Sequence, residues 1–297
     1  MIIVRLMGGL GNQMFQYALA RHLSIKNKDR LKFDLTFLLD RTPRKNFTFR
    51  DYDLDVFEIN PPITLLSKFS KITNRGPFIL AEILYRLQKK LLPNKVLAEK
   101  KAYYYDDEVL RRQGNLYIVG YWQCPKYFDD IAAVIRKDFI FKSRLSGDAL
   151  DLYKKIRDTN SVCINVRRAD YVNNPQYNQF HGVTGMDFYD AAIKIIVDKV
   201  SAPHFYIFSD DIEWCRSNFN LSYPTTFVGH EFKGPKFSHY LQLMIACKNF
   251  IIPNSSFAWW AAWLNSDINK IVIAPKKWVN ALDINIDDVL PEEWIKI

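Results

Sequence analysis

The chain has 297 residues, 48% hydrophobic, 15% aromatic and 25% charged, which suits one large domain or two of ordinary size and excludes extensive disorder. Lys and Arg number 41 against 32 Asp and Glu, net +9, and the whole excess lies in residues 1–150, with 26 basic and 16 acidic residues against 15 and 16 in 151–297. Such a basic half suggests an anionic partner, whether nucleic acid, a membrane surface or a phosphorylated ligand.

Ile2 to Leu6 is a β-branched and aliphatic run that stops at Gly8-Gly9-Leu10-Gly11, so a strand, a glycine turn and a helix from about Gln13 to Ile25 capped by Asn12 are expected. The N-terminus lacks the basic n-region and long apolar run of a signal peptide, and no apolar run reaches the roughly 18 residues of a membrane span. A cytoplasmic protein is expected, with peripheral attachment at the inner membrane face left open. Leu31 to Leu35 is the next strand. The stretch from about 60 to 101 is basic and irregular, a helical insertion with no obvious strand, and residues 65–101 carry nine basic against two acidic residues. Inside it Phe78 to Leu92 reads as an apolar helix with Arg86, Lys89 and Lys90 toward its end. It is either a core helix with a solvated edge or, with Lys95, Lys100 and Lys101, a face for anionic lipid.

Leu116 to Val119 is a further strand, followed by Gly120-Tyr121-Trp122-Gln123 and a helix from about Lys126 to Arg136. A boundary within about 142–160 separates an N-terminal domain, 1–150, from a C-terminal domain, 151–297. In the latter Val162 to Val166, Phe205 to Phe208, Thr226 to Val228, Phe250 to Ile252 and Ile271 to Ala274 are short apolar runs separated by helical stretches, the pattern of parallel sheets flanked by helices. The fold class is α/β, two domains with a cleft between them. Cys124, Cys163, Cys215 and Cys247 are widely spaced, without a CxxC pair, which indicates neither a zinc site nor a disulfide framework.

Four loops carry candidate chemistry. Gly8-Gly9-Leu10-Gly11-Asn12-Gln13 permits a tight turn and close approach of an anion to a helix N-terminus, although its spacing departs from the dinucleotide fingerprint and the turn can equally serve the fold alone. Asn165-Val166-Arg167-Arg168-Ala169-Asp170-Tyr171 stands where a buried strand ends. Ligands collect there in open α/β sheets and a guanidinium grips phosphate bidentately, while the competing reading is a solvated pair neutralised by Asp170. Ser209-Asp210-Asp211 follows another strand. The two carboxylates could chelate Mg²⁺, or Asp211 caps a helix opening at Ile212 and leaves Asp210 to accept hydrogen bonds from a guanine edge. Finally, Pro253-Asn254-Ser255-Ser256-Phe257-Ala258-Trp259-Trp260 joins serine hydroxyls to a helix start. That suits phosphate, or Ser255 is an ordinary cap with Trp259, Trp260 and Trp263 as core.

Together, in this order, Gly-Gly-Leu-Gly-Asn-Gln-Met-Phe-Gln at 8–16, Asp34, Tyr52-Asp53-Leu54, Gly120-Tyr121-Trp122-Gln123, the Arg167-Arg168 loop and Asn254-Ser255-Ser256-Phe257 resemble the α-1,2-fucosyltransferases. These are inverting enzymes that move L-fucose from GDP-fucose to the 2-hydroxyl of a terminal galactose. The likeness covers most of the chain. Where the family reads His-x-Arg-Arg-Gly-Asp-Tyr, this sequence has Asn165 and Ala169. The resemblance implies a GT-B-like pair of Rossmann-like domains, a C-terminal nucleotide-sugar site, an N-terminal acceptor side, and no metal or other cofactor.

Carried over by motif, Arg167 contacts the β-phosphate and stabilises departing GDP. Arg168, Asn165, Ser255, Ser256 and Phe257 assist, and Asp210 is placed for guanine. Gly9, Gly11, Asn12 and Gln13 belong to the cleft or acceptor side, with Asn12 and Gln13 reaching sugar or phosphate. The base is Asp170, beside the arginines, or His181 in Gln179-Phe180-His181-Gly182-Val183, a segment similar to one in the family. The partners implied are a GDP-sugar and a galactose-terminated oligosaccharide. A second enzymatic reading uses another GDP-deoxysugar on the same scaffold. A basic nucleic-acid-binding protein accounts for the charge but leaves the ordered loops unexplained.

Overall fold

The first strand in each half of this chain is a β-branched run, and each is a central strand of a parallel sheet. The computed structural model describes residues 1–43, 48–64, 67, 95–168, 179, 182–280 and 284–297. They form two units, Met1–Ile140 and Phe141–Ile297. Residues 141–150, which the sequence places in the first domain, belong to the second. Ser143 explains this: its hydroxyl meets His239 Nε2 at 3.0 Å and its carbonyl accepts from Gln242 Nε2 at 3.0 Å.

In the first unit, β1 (Ile2–Arg5), β2 (Leu31–Asp34), β3 (Val96–Ala98) and β4 (Leu116–Val119) lie in the order β2-β1-β4-β3. All their pairings are parallel. The chain leaves β1 toward one edge and arrives at β4 from the other. α1 (Leu10–Lys26) packs on β1 and is buried around most of its circumference, so it is a core helix rather than an amphipathic surface one. It begins earlier than the sequence suggests, with extended Gly9 in the cap position and no side-chain cap. Asn12 therefore sits inside the first turn instead of capping it. β3 was not legible, being three half-buried residues at the end of the basic stretch. The expected Lys126–Arg136 helix is two 3₁₀ turns followed by α2 (Ala132–Asp138), with Pro125 opening the first turn. The expected helix Phe78–Leu92 lies outside the described residues.

The second unit contains α3 (Gly147–Asp158), β5 (Asn160–Val166), α4 (Met186–Lys199), β6 (Pro203–Ser209), α5 (Ile212–Asn218), β7 (Thr225–Val228), α6 (Ser238–Ala246), β8 (Asn249–Ile251), α7 (Ser256–Leu264), β9 (Val272–Ala274) and β10 (Ile295–Lys296). Sheet order is β10-β9-β8-β5-β6-β7, all parallel. Val162, Ile164 and Val166 of β5 pack with Tyr189 and Ile196 of α4, Phe205 and Ile207 of β6, Ile251 and Ile273. Strands covered on both faces read as continuous apolar runs, which is why these were recognisable. Trp259 and Trp260 are fully buried, and Trp259 Nε1 donates to Val289 O at 2.9 Å; the tryptophans of α7 are core. All four cysteines are buried and unbridged. No helix among the described residues is long and apolar enough to cross a membrane.

Candidate active site

Strands β5, β6 and β7 run outward to one edge of the second sheet, and β8, β9 and β10 to the other. The order therefore reverses between β5 and β8. In open α/β sheets that reversal leaves a crevice beyond the carboxyl ends of the two strands, where ligands bind. The loops there are Arg167-Arg168, after β5, and Pro253-Asn254-Ser255, after β8.

Register decides who meets whom. β5 and β6 pair in parallel through Val166 and Ser209, so residues 167 and 168 emerge beside 210 and 211. Arg167 Nη1 stands 2.9 Å from Asp210 Oδ2, an ion pair by distance although Oδ2 is buried without an aligned hydrogen-bond donor. Asp210 Oδ1 accepts the Arg168 N–H at 2.8 Å. The carboxylate expected to be available to guanine thus ties the two arginines together. Asp211 is the cap of α5 and accepts from Trp214 N at 3.3 Å, in line with the capping alternative for the pair.

The Arg168 guanidinium lies 3.7 Å from the Trp214 ring centroid, and its Nε is 3.9 Å from Asp211 Oδ2. That Nε is buried without a hydrogen-bond partner among the described residues. Both arginine side chains keep some exposure, 30% and 20%. Asn165 is buried and its side-chain amide donates to Phe208 O at 3.3 Å, while its backbone carbonyl accepts from the Tyr189 hydroxyl at 3.1 Å. Burial holds that phenol well above its ordinary pKa, so it remains a donor. Asn165 thus braces the strand end from below. Trp214 as a guanidinium rest is not legible in the sequence, because a Trp five residues beyond a strand end carries no pattern of its own.

On the β8 side, Asn254 anchors the loop. Its Nδ2 donates to Trp278 O at 3.0 Å and Gly182 O at 3.4 Å, and its Oδ1 accepts from Thr184 at 3.3 Å. Ser255 caps α7, accepting from Ala258 N at 3.4 Å. Ser256 and Phe257 open the helix and are half-buried. Gly182 has φ +76, and a Cβ there would stand 2.4 Å from Asn280 Nδ2. The segment 182–184 is therefore fixed beside Asn254. Ala169, Asp170 and His181 lie outside the described residues.

In the first unit, Gly8 takes φ +74, where a Cβ would come within 2.5 Å of Asn12 Nδ2. Asn12 Oδ1 accepts from Gln123 Nε2 at 2.7 Å, joining the loop after β1 to the loop after β4. Gly9 is half-buried and Gly11 buried within α1. Gln13 does not face a ligand as the sequence suggests. It has no exposed surface, its Nε2 donates to Gly8 O at 2.8 Å and Asp51 O at 2.7 Å, and its Oε1 accepts from Asp53 N at 2.9 Å. A side chain so committed holds the 51–53 segment to the glycine turn and cannot reach sugar or phosphate.

Glu99, unremarked in the sequence, accepts Tyr121 N at 2.7 Å and Trp122 N at 3.0 Å. Burial raises its pKa above the ordinary value, opposed by those two hydrogen bonds. Among the described residues no three His, Cys, Asp or Glu side chains cluster as a metal site.

A doubly wound unit with a guanidinium pair at its strand-order reversal has the form of a nucleotide-type binding unit. Residues 98–297 match Glycosyl transferase family 11. The whole chain is 32% identical over 298 residues to an alpha-1,2-colitosyltransferase of Escherichia coli, covering 98% of it. It is 34% identical over 287 residues to the O-antigen biosynthesis glycosyltransferase WbnK of the same organism, covering 92% of this chain and 93% of that protein. Over 154 residues, half of this chain and 44% of the other, it is 27% identical to galactoside alpha-(1,2)-fucosyltransferase 2 of Bos taurus. Among solved structures, fucosyltransferase NodZ from Bradyrhizobium is 14% identical with a TM-score of 0.47, covering 88% of this chain and 91% of that one. The chain belongs to Glycosyl transferase family 11; it is a glycosyltransferase.

Proposed function

We propose that this glycosyltransferase moves L-fucose from GDP-fucose to the 2-hydroxyl of a terminal galactose, with inversion and without a metal ion. The observation that carries the reading is the Arg167-Arg168 pair at the reversal between β5 and β8, braced by Asp210 and Trp214. In the transfer the acceptor oxygen bonds to C1 of the sugar as the C1–O bond to the β-phosphate breaks. The bonding pair leaves with GDP, and the hydroxyl proton passes to a base. The transition state resembles an oxocarbenium ion, and negative charge gathers on the diphosphate. Preorganised cations aimed at that charge supply the largest protein contribution. Arg167 takes this role, Arg168 adds a second guanidinium, and the α7 N-terminus with Ser256 favours the same anion.

The base is drawn from Asp170 and His181. A second reading is favoured by the colitosyltransferase relative, which matches the entire chain: colitose is fucose without its 3-hydroxyl, and the donor is then GDP-colitose. Incubation with GDP-fucose, GDP-colitose and other GDP-sugars against a galactoside array, with linkage analysis of the product, decides between them. GDP release with fucose alone and a 1,2-linked product supports the first reading. Preference for the 3-deoxy donor selects the second, and no turnover with any GDP-sugar removes both.

A further inference from the structure

The loop after β4 is built with more constraint than a connection needs. Parallel register pairs Ala98 with Val119, so Glu99 and Gly120 emerge side by side. Gly120 has φ +152, and a Cβ there would stand 2.4 Å from Glu99 Cβ. Trp122, a bulky non-glycine residue, takes φ +57 and is 1% exposed. Left-handed backbone at such a residue costs about 1–3 kcal/mol and persists only where its surroundings impose it, often at binding sites. Here three groups impose it. The Glu99 carboxylate takes both the Tyr121 and the Trp122 N–H, the Trp122 ring packs edge-on against Tyr127 with centroids 5.7 Å apart, and Gln123 bonds Asn12.

The product of this bracing is one large aromatic side chain turned outward: Tyr121, 39% exposed and followed by a buried Trp122 and a buried Gln123. It stands at the carboxyl end of the central β1–β4 pair, with the Gly8–Asn12 turn tied to its own loop. A rigid exposed ring at the carboxyl end of a parallel sheet offers a flat apolar surface at little entropic cost, since its backbone is already fixed. The C–H face of a pyranose matches such a surface. We infer that Tyr121 is the platform on which the acceptor sugar stacks, through the face of galactose that carries H3, H4 and H5, and that it helps set acceptor specificity.

This inference rests on the galactoside-acceptor reading above, and the experiment separates the two. Saturation-transfer NMR with methyl β-D-galactopyranoside, without donor, is recorded for the wild type, Tyr121→Phe, Tyr121→Leu and Tyr121→Ala, with GDP binding measured calorimetrically on each. Transfer to H3, H4 and H5 is expected for the wild type and Tyr121→Phe, weakened about tenfold or lost in Tyr121→Leu and Tyr121→Ala, with GDP affinity unchanged in all four. Equal transfer in Tyr121→Ala overturns the platform. No transfer in the wild type also overturns it, and if GDP still binds, the donor reading stands. Tyr121→Leu keeps apolar bulk and guards against loss of fold as the cause.

Discussion

Asp210 holds both arginines at once: its Oδ2 stands 2.9 Å from Arg167 Nη1, and its Oδ1 takes the Arg168 N–H at 2.8 Å. The pairing follows from the β5–β6 register, which sets 167 beside 210 as soon as Val166 pairs with Ser209. A carboxylate in that place fixes the guanidinium before substrate arrives, at the cost of partly neutralising it.

The expected consequence is that Arg167→Ala lowers kcat by at least about 10²-fold, the scale of losing one preorganised donor. Arg167→Lys keeps the charge but not the planar fork and recovers only part of that rate. Asp210→Asn retains an acceptor for the Arg168 N–H and loses the charge that positions Arg167. It should lower kcat more than it raises KM for the GDP-sugar. Steady-state kinetics of the three variants decide this, and near-normal turnover by Arg167→Ala would remove the role assigned to the pair.

Arg168 rests on Trp214 at 3.7 Å from the ring centroid. Such stacking is worth about 0.5–2 kcal/mol, so Trp214→Leu should weaken GDP binding between about twofold and thirtyfold, whereas Trp214→Phe keeps most of it. Calorimetric titration with GDP measures the effect. Unchanged affinity in Trp214→Leu would show that Arg168 needs no such support.

The strands of the second unit were visible in the sequence because both of their faces are buried, leaving unbroken runs such as Val162 to Val166. Their spatial order was not visible: nothing in those runs says that β8 returns to the far side of β5, and that return creates the crevice. Arg167 was legible as a phosphate candidate from its place after a strand. Its tie to Asp210 was not, because it depends on register between segments 43 residues apart. Gln13 misled for the opposite reason. A carboxamide beside a glycine turn looks like a ligand group, yet this one is consumed by Gly8, Asp51 and Asp53. Glu99 carried no signal, since its neighbours Tyr121 and Trp122 come together with it only through the β3–β4 pairing.

Glu99 gives a pH dependence whose sign is fixed. Its folded pKa is raised above the ordinary 4.5, chiefly by burial, with the Tyr121 and Trp122 N–H groups opposing. A carboxyl whose folded pKa is raised contributes stability that is complete below the ordinary value and is lost as pH climbs through the folded one. The stability of the wild type relative to Glu99→Gln should therefore decline from about pH 4 toward neutrality. Thermal midpoints of both proteins across that range test it, and a relative stability that rises with pH would contradict the assignment.

Gly120 provides a test of the braced turn that does not depend on substrate. An alanine methyl at φ +152 meets Glu99 Cβ at 2.4 Å, Trp122 Nε1 at 2.8 Å and Glu99 Oε2 at 2.9 Å. The first of these is the root of a side chain next to its own backbone, so it cannot swing aside as a side-chain tip would. Backbone strain and overpacking each cost about 1–3 kcal/mol, and Gly120→Ala should lose at least about 2 kcal/mol. Gly9→Ala is the control. Gly9 is extended and nothing lies within 4 Å of a Cβ placed there, which leaves only the weaker helix-capping of alanine, about 1 kcal/mol or less. Urea unfolding of the two variants compares them directly. Equal losses would mean that the Glu99 clamp yields easily and that the turn carrying Tyr121 is not rigid.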